Sequence, residues 1–374
     1  MRTWQAIHSW SSLLCTLFLL MLCLTGLPLI FADEIEVATG TQAALPAISA
    51  QAAPVSVDAI VATAHARYPG EFLRFMTWDR DEPRRLTLNM ATTPDAPAAA
   101  GHTLEFDDAS GILLDEQPRK TGFLQFALKL HQTLFLGLAG ELLLGVMGLL
   151  FVLAIVSGVV LYGPFMRKLS FGAIRRQRAL RIRMLDLHNL LGICITAWLL
   201  VVGATGVVNT LSTPLFALWS AHELPHLMQS GQNAAPLRHM ASVDEVIGNT
   251  KAALPGRRVS GVVFPNAHFG SAHHYLLWTL GNTPITSRMF QPVLLDGESG
   301  HVLYASVLPW YLRVLEISRP FHFGDYGGFP LKILWAVLDL MTIVILVGGL
   351  YLWVRRVARS AATGVGGHAP PPNT

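Results

Sequence analysis

The chain has 374 residues, a formal net charge of +3, only 14% charged residues and a positive mean hydropathy. Such a composition excludes an ordinary soluble globular protein, and no nucleic-acid partner is expected. Four apolar runs, roughly 11–31, 135–162, 189–211 and 333–354, are long enough for a hydrocarbon core of about 30 Å, which takes about 20 helical residues. Each is expected to be a helix, because lipid offers no partner to free backbone groups.

In chain order, the organisation predicted is a first span at 8–31, an exposed module with an N-terminal linker at 32–130, and a second span at 131–163. A basic loop at 164–186, a third span at 187–211, a second exposed module at 212–330, a fourth span at 331–355 and a disordered tail at 356–374 follow. The Ala, Pro, Ser and Gln content of 38–56 is that of a linker, and 91–101 reads as a flexible loop. The first run also resembles a signal peptide, with a basic start and Phe31-Ala32-Asp33 at its end. It is long for one, and its repeat partner later in the chain favours a retained span.

Arg167, Lys168, Arg175, Arg176, Arg178, Arg181 and Arg183 crowd the loop between the second and third spans, against Asp186 alone. The positive-inside rule places that loop in the cytoplasm, with Arg2 and with Arg355, Arg356 and Arg359 on the same side. Both termini are then cytoplasmic, in a bacterial inner membrane, and the two long stretches face the periplasm. Cys15, Cys23 and Cys194 all lie in apolar runs, so no disulfide framework is implied, and no C-x-x-C-H motif for covalent haem attachment occurs.

The chain repeats itself. The interval from His8 to Thr25-Gly26 equals that from His188 to Thr205-Gly206, and the interval from His131 to Gly158 equals that from His322 to Gly349. In the exposed stretches, Asp58 to Pro69-Gly70 matches Asp244 to Pro255-Gly256, and Asp108-Ala109-Ser110-Gly111 has a counterpart in Gly297-Glu298-Ser299-Gly300. In each copy a helix (57–68; 243–254) ends at Pro-Gly and strands follow, clearest at 86–90, 103–106, 112–114 and 275–280. Each copy is predicted to be a small α+β module.

Topology sorts the repeated histidines into two facing pairs, His8 with His188 near the cytoplasmic face and His131 with His322 near the outer face. Imidazole is a good ligand for iron, and two axial imidazoles on separate helices hold a b-type haem in a bundle. Two haems would relay electrons across the bilayer. The simpler alternative for each histidine is an interfacial amphipathic residue. The glycines a helix-length away suit close approach of porphyrin or of a neighbouring helix. Arg181, Arg183 and Arg319 are candidate partners for haem propionates, against a reading as ordinary surface cations.

Glu141 and Asp339 fall in or near apolar runs, and Asp339 is the better candidate for a polar partner or proton path. His222 with His226, and His273 with His274, are weak metal candidates. No catalytic serine elbow, P-loop or H-E-x-x-H motif is present.

Leu130-His131, Leu187-His188-Asn189-Leu190-Leu191-Gly192 and Phe321-His322-Phe323-Gly324-Asp325-Tyr326-Gly327-Gly328 resemble the PepSY-associated transmembrane helix family, which includes iron-regulated membrane proteins and siderophore-iron reductases. The likeness runs from His8 through Arg356. It implies a membrane α-helical fold, a four-helix transmembrane bundle with two periplasmic α+β PepSY-like modules, internally duplicated. It also implies haem b, two per chain, and, in the reductase branch, reduction of periplasmic ferric siderophores. The chain lacks the soluble flavin or nicotinamide domain of fused members, so its electron donor would be a cytoplasmic reductase or membrane quinol. Trp78, Tyr275, Trp278, Trp310, Tyr311 and Tyr326 are candidate contacts for the chelate. Two other readings stand: a non-redox membrane protein that binds peptides or restrains a protease, and an electron-transfer subunit for another reductase.

Overall fold

A computed structural model describes residues 1–47, 55–96, 101–116, 122–166, 170–227, 237–265, 271–283 and 286–365. Its elements in chain order are α1 (Arg2–Ile30), α2 (Ala32–Ala38), α3 (Val57–Arg67), β1 (Phe72–Trp78), β2 (Arg85–Ala91), β3 (His102–Asp107), β4 (Leu113–Glu116), α4 (Phe123–Thr133), α5 (Leu138–Met166) and α6 (Leu180–Cys194). Next come α7 (Thr196–Asn209), α8 (Ser212–Leu227), α9 (Val243–Ala253), β5 (Arg257–Val263), β6 (His274–Gly281), β7 (Phe290–Asp296), β8 (Val302–Ala305), α10 (Trp310–Phe323) and α11 (Gly328–Val365). They form two compact units, one of Met1–Ala32, Thr121–Ser212 and Ser318–Thr374, the other of Asp33–Lys120 and Thr213–Ile317.

The first unit is helical. Arg2–Ile30, Leu138–Phe165 and Gly328–Ala358 are each long and apolar enough to cross a membrane, and α6 with α7 makes a fourth crossing if the bent pair is one span. Large apolar side chains such as Leu14, Leu17, Leu149, Leu153, Val344 and Val347 point outward. In water that surface would be a liability; in lipid it is the expected exterior. The protein is a membrane protein. Inside the bundle α1 packs on α5 and α11, α5 on α7, and α6 on α11. Cys15, Leu19 and Leu346 meet in one cluster and Ile195, Leu199 and Ile345 in another, with Phe151 against both.

Two spans depart from the straight helices expected. The chain breaks between α4 and α5, where Leu134, Phe135 and Gly137 all take left-handed backbone (φ 51°, 60° and 56°), so His131 sits on a short helix of its own. The third span bends by 68° at Ile195. There Thr196 Oγ1 donates to the Gly192 carbonyl at 2.6 Å, competing with the backbone ladder beside a glycine. At the C-terminus α11 runs to Val365, past the expected end at 355, because 357–362 is built of residues a helix tolerates. Residues 366–374 of the expected tail, and 48–54 of the linker, lie outside the described residues.

The second unit holds the strands. Instead of two separate modules it carries one eight-stranded antiparallel sheet, in the order β4-β3-β2-β1-β5-β6-β7-β8. Its halves join through β1 and β5, with Phe75 opposite Val263, Met76 opposite Val262 and Thr77 opposite Gly261. A separate four-stranded sheet would expose β1 or β5 as an apolar edge, and pairing the two removes both edges at once. Helices α3 and α9 cover one face, where Ile60, Ala64, Val246 and Ile247 pack with Met76, Leu88, Leu104, Val262, Leu277 and Val293. On β6 Trp278 packs with Trp219 of α8 and Phe290 of β7. Covered on both faces, β6 reads as an almost unbroken apolar run rather than an alternating one.

Candidate functional site

All four repeated histidines lie in the helical unit and form two pairs. His8 of α1 faces His188 of α6, and His131 of α4 faces His322 of α10, each with ring centres 6.4 Å apart and planes at 73° and 62°. Along α1, His8 and Gly26 are separated by about 27 Å of helix rise. Because Gly26 lies against His131, the pairs sit near opposite ends of the bundle.

Three of the rings are held in the same way. His8 Nδ1 lies 2.9 Å from the Ala154 carbonyl, His188 Nδ1 3.0 Å from that of Ile345, and His322 Nδ1 3.1 Å from that of Val202. His131 differs, its Nδ1 lying 3.0 Å from Thr25 Oγ1. Ser157 Oγ is 3.3 Å from His8 Nδ1, and Thr205 Oγ1 is 3.5 Å from His322 Nδ1. A carbonyl only accepts, so Nδ1 carries the proton in His8, His188 and His322, and Nε2 is left with its lone pair.

Each of these carbonyls stands four residues before a repeated glycine: Ala154 before Gly158, Val202 before Gly206 and Ile345 before Gly349. In a helix the N–H of residue i+4 already bonds that carbonyl, so the imidazole takes its second lone pair. The missing side chain is what lets the ring in. A Cβ on Gly26 or Gly158 would stand 3.2 Å from the Cε1 of His131 or His8, one on Gly206 3.1 Å from that of His322, and one on Gly349 3.4 Å from that of His188. The histidines, rather than a neighbouring helix alone, occupy the approach these glycines permit.

The geometry suits a metal between the rings. A metal bound through one nitrogen of each imidazole, at about 2.0–2.1 Å, would fit a ring-centre separation of this size. Carbonyl bonds at Nδ1 are also what fix the tautomer and ring orientation of a metal-binding histidine. Two histidines alone would not complete a metal site, so a metal held there would need further donors, such as those of a tetrapyrrole. Among the described residues no cluster of three or more His, Cys, Asp or Glu side chains is disposed to hold a metal.

The flanking cations fall in different places. Arg183 is exposed and lines a cavity of about 310 Å³ with Ile174, Arg176, Met184 and Leu187, next to His188 in the chain. Arg181 has a buried Nε with no partner among the described residues. Arg319 donates to Ser212 Oγ at 3.0 Å. Near the His8–His188 pair, buried Asp186 binds Arg175 through its side chain, at 2.7 Å and 3.0 Å, and through its backbone N–H at 3.0 Å. Trp335 Nε1 donates to the His322 carbonyl at 3.3 Å and packs on Trp198 and Tyr326. Neither support was anticipated from sequence; the lone Asp186 amid arginines was the available signal for the first.

Other candidates are placed elsewhere. In the sheet unit Tyr275 is buried and donates to the Ala241 carbonyl, Trp78 packs on the core, and Trp310 is exposed. His274 is buried with its Nδ1 2.7 Å from Ser271 Oγ, and His222 is exposed. The side chain of His226 lies outside the described residues. In the helical unit Tyr326 is exposed, and Glu141 Oε2 is buried without a partner among the described residues.

A membrane-embedded helical unit with two matched histidine pairs, joined in one chain to a unit built on an antiparallel sheet, defines the class. The sequence profile of the PepSY-associated TM region matches residues 5–356, and the chain belongs to that family. It is also similar to an uncharacterized protein of Pseudomonas aeruginosa, 29% identical over 259 residues, which are 63% of this chain and 64% of the relative. The chain thus spans a little under two thirds of that relative's length.

Proposed function

We propose that this protein is a dihaem reductase of the bacterial inner membrane that passes electrons outward to periplasmic ferric siderophores and so releases their iron. The observation that carries the reading is the matched 6.4 Å separation of both histidine pairs, with Nδ1 of His8, His188 and His322 turned to a helix carbonyl and that of His131 to Thr25 Oγ1. His8 and His188 would hold one b-type haem near the cytoplasmic face, and His131 and His322 a second near the outer face. When bound, haem supplies one-electron redox chemistry.

The residues themselves set the conditions for it. The carbonyl bonds at Nδ1 hold three of the rings in the tautomer that offers Nε2, and the glycines set how far it reaches. Arg181, Arg183 and Arg319 are the cations suited to propionates. The basic 164–186 loop orients both termini to the cytoplasm. The repeated intervals reflect an internal duplication, each half contributing a member to both pairs and four strands to the sheet. A cytoplasmic reductase or membrane quinol would supply the electrons.

Reduction of the substrate needs no nucleophile or general base. Ferric iron is a hard cation held tightly by hydroxamate and catecholate oxygens, and one electron converts it to ferrous iron, which those ligands hold much less tightly. The test is to mix the dithionite-reduced, desalted protein anaerobically with a ferric siderophore and a ferrous trap. Haem reoxidation matched one for one by trapped ferrous iron is expected. Reduced haem that stays reduced in the presence of every chelate offered would instead point to an electron-transfer subunit serving another reductase.

A further inference from the structure

One polar group inside the bundle is not used by this reading. Asp339 lies eleven residues into α11, amid an apolar run, and is only 8% exposed. Its carboxyl lies close to the Cys23 thiol of α1, and among the described residues Oδ2 has no partner. The titratable groups facing it can be named element by element. From α1 there is Cys23, and from α6 His188 reaches α11, but at Ile345, about 9 Å of helix rise farther on. No ion pair joins Asp339 to a lysine or arginine among the described residues.

Its position ties it to one histidine pair. Cys23 is two residues before Thr25 and three before Gly26, the residues that hold His131. On its own helix, Trp335, one turn earlier, donates to the His322 carbonyl. Asp339 is therefore about one turn below the His131–His322 pair on both helices and farther from the His8–His188 pair.

We infer that Asp339 is a redox-linked proton site, taking up one proton from the water on the side where α11 begins when the centre at His131 and His322 gains an electron, and releasing it on reoxidation. The inference rests on the haem reading above. Ferric iron between two neutral imidazoles in a porphyrin dianion carries one net positive charge, which compensates a nearby carboxylate across a low-dielectric interior. The electron, supplied by the upstream quinol or reductase, cancels that charge. A carboxylate then left uncompensated in hydrocarbon is costly, and protonation to the neutral acid removes the cost. One electron on iron and one proton on Asp339 leave the local charge unchanged.

The experiment is a potentiometric titration of the purified holoprotein at several pH values between 6 and 8, with redox-difference infrared spectra of the same samples. One haem should show a midpoint that falls toward 59 mV per pH unit, the one-electron equivalent of a tenfold change in proton activity, while the other stays nearly flat. A carboxylic-acid C=O band should appear on reduction. Asp339→Asn should abolish both signals with two haems retained, and Cys23→Ala should shift the band. If Asp339→Asn fails to assemble, Asp339→Glu should keep the slope with a displaced band. Two pH-independent midpoints in the wild type, or a slope and band unchanged in Asp339→Asn, would overturn this inference while leaving the haem reading intact. Protein that holds no haem would overturn both.

Discussion

Asp58 and Asp244 cap each other's helices. Asp58 Oδ1 and Oδ2 accept from the backbone N–H groups of Val243 and Asp244 at 2.9 and 3.2 Å, and Asp244 Oδ1 and Oδ2 accept from those of Val57 and Asp58 at 3.1 and 3.2 Å. Ser56 and Ser242 cap their own helices in addition. The first N–H groups of a helix have no partner within it, so the exchange satisfies both helix starts and ties α3 to α9 over the shared sheet. Either aspartate changed to alanine is expected to cost about 1–2 kcal/mol, and to asparagine much less, measured by denaturant unfolding of the detergent-solubilised full chain.

Asp58 makes the sheet unit sensitive to acid. Burial alone would raise the Asp58 carboxyl, but hydrogen bonds from Ser242, Val243 and Asp244 outweigh it and hold Asp58 below its ordinary value. A carboxylate depressed in the folded state contributes stability above its unfolded range, near 4, and loses it as pH falls through the lower folded value. Thermal melts of the wild type should therefore weaken below about pH 4, and Asp58→Asn should flatten that dependence.

Glycine-to-alanine changes test how the rings are held. At Gly206 and Gly158 a methyl would stand 3.1 and 3.2 Å from a histidine Cε1 and force that ring away from its carbonyl. Gly206→Ala is expected to lose or perturb the haem at His131 and His322 alone, and Gly158→Ala the one at His8 and His188 alone. Haem content and the low-spin spectrum report the outcome. Retention of both unperturbed centres in both variants would mean that the glycines serve only helix packing.

Arg175 and Asp186 probe a support two residues from His188. The Asp186 side chain is buried and its partner is partly exposed. Removing Arg175 leaves the Asp186 carboxylate buried without its charged partner. Arg175→Ala should therefore lower occupancy of the His8–His188 site and spare the other, read from haem content per chain.

Much of this arrangement is legible in the sequence, for definable reasons. A ligand and the glycine that seats a ring must each keep helix register, so His8 to Gly26 and His188 to Gly206 recur at one interval. That interval does not disclose who faces whom: Gly26 seats His131 and Gly158 seats His8, because tertiary packing rather than chain order brings segments together. Strands and helix starts are visible from alternation and from Ser56 and Ser242. The union of eight strands into one sheet is not, since edge pairing between β1 and β5 leaves no local mark. Nor are the breaks at Leu134 and Ile195, where left-handed backbone at an apolar residue and a threonine bond to a carbonyl override helix propensity.

The most direct test of the central claim is the visible spectrum of the detergent-purified protein, oxidised and then dithionite-reduced, with a pyridine haemochrome count per chain. Two low-spin b-type haems are expected, falling to one when any of His8, His131, His188 or His322 is changed to alanine. A colourless protein that takes up no added haem would contradict the redox reading and return the histidine pairs to a structural role.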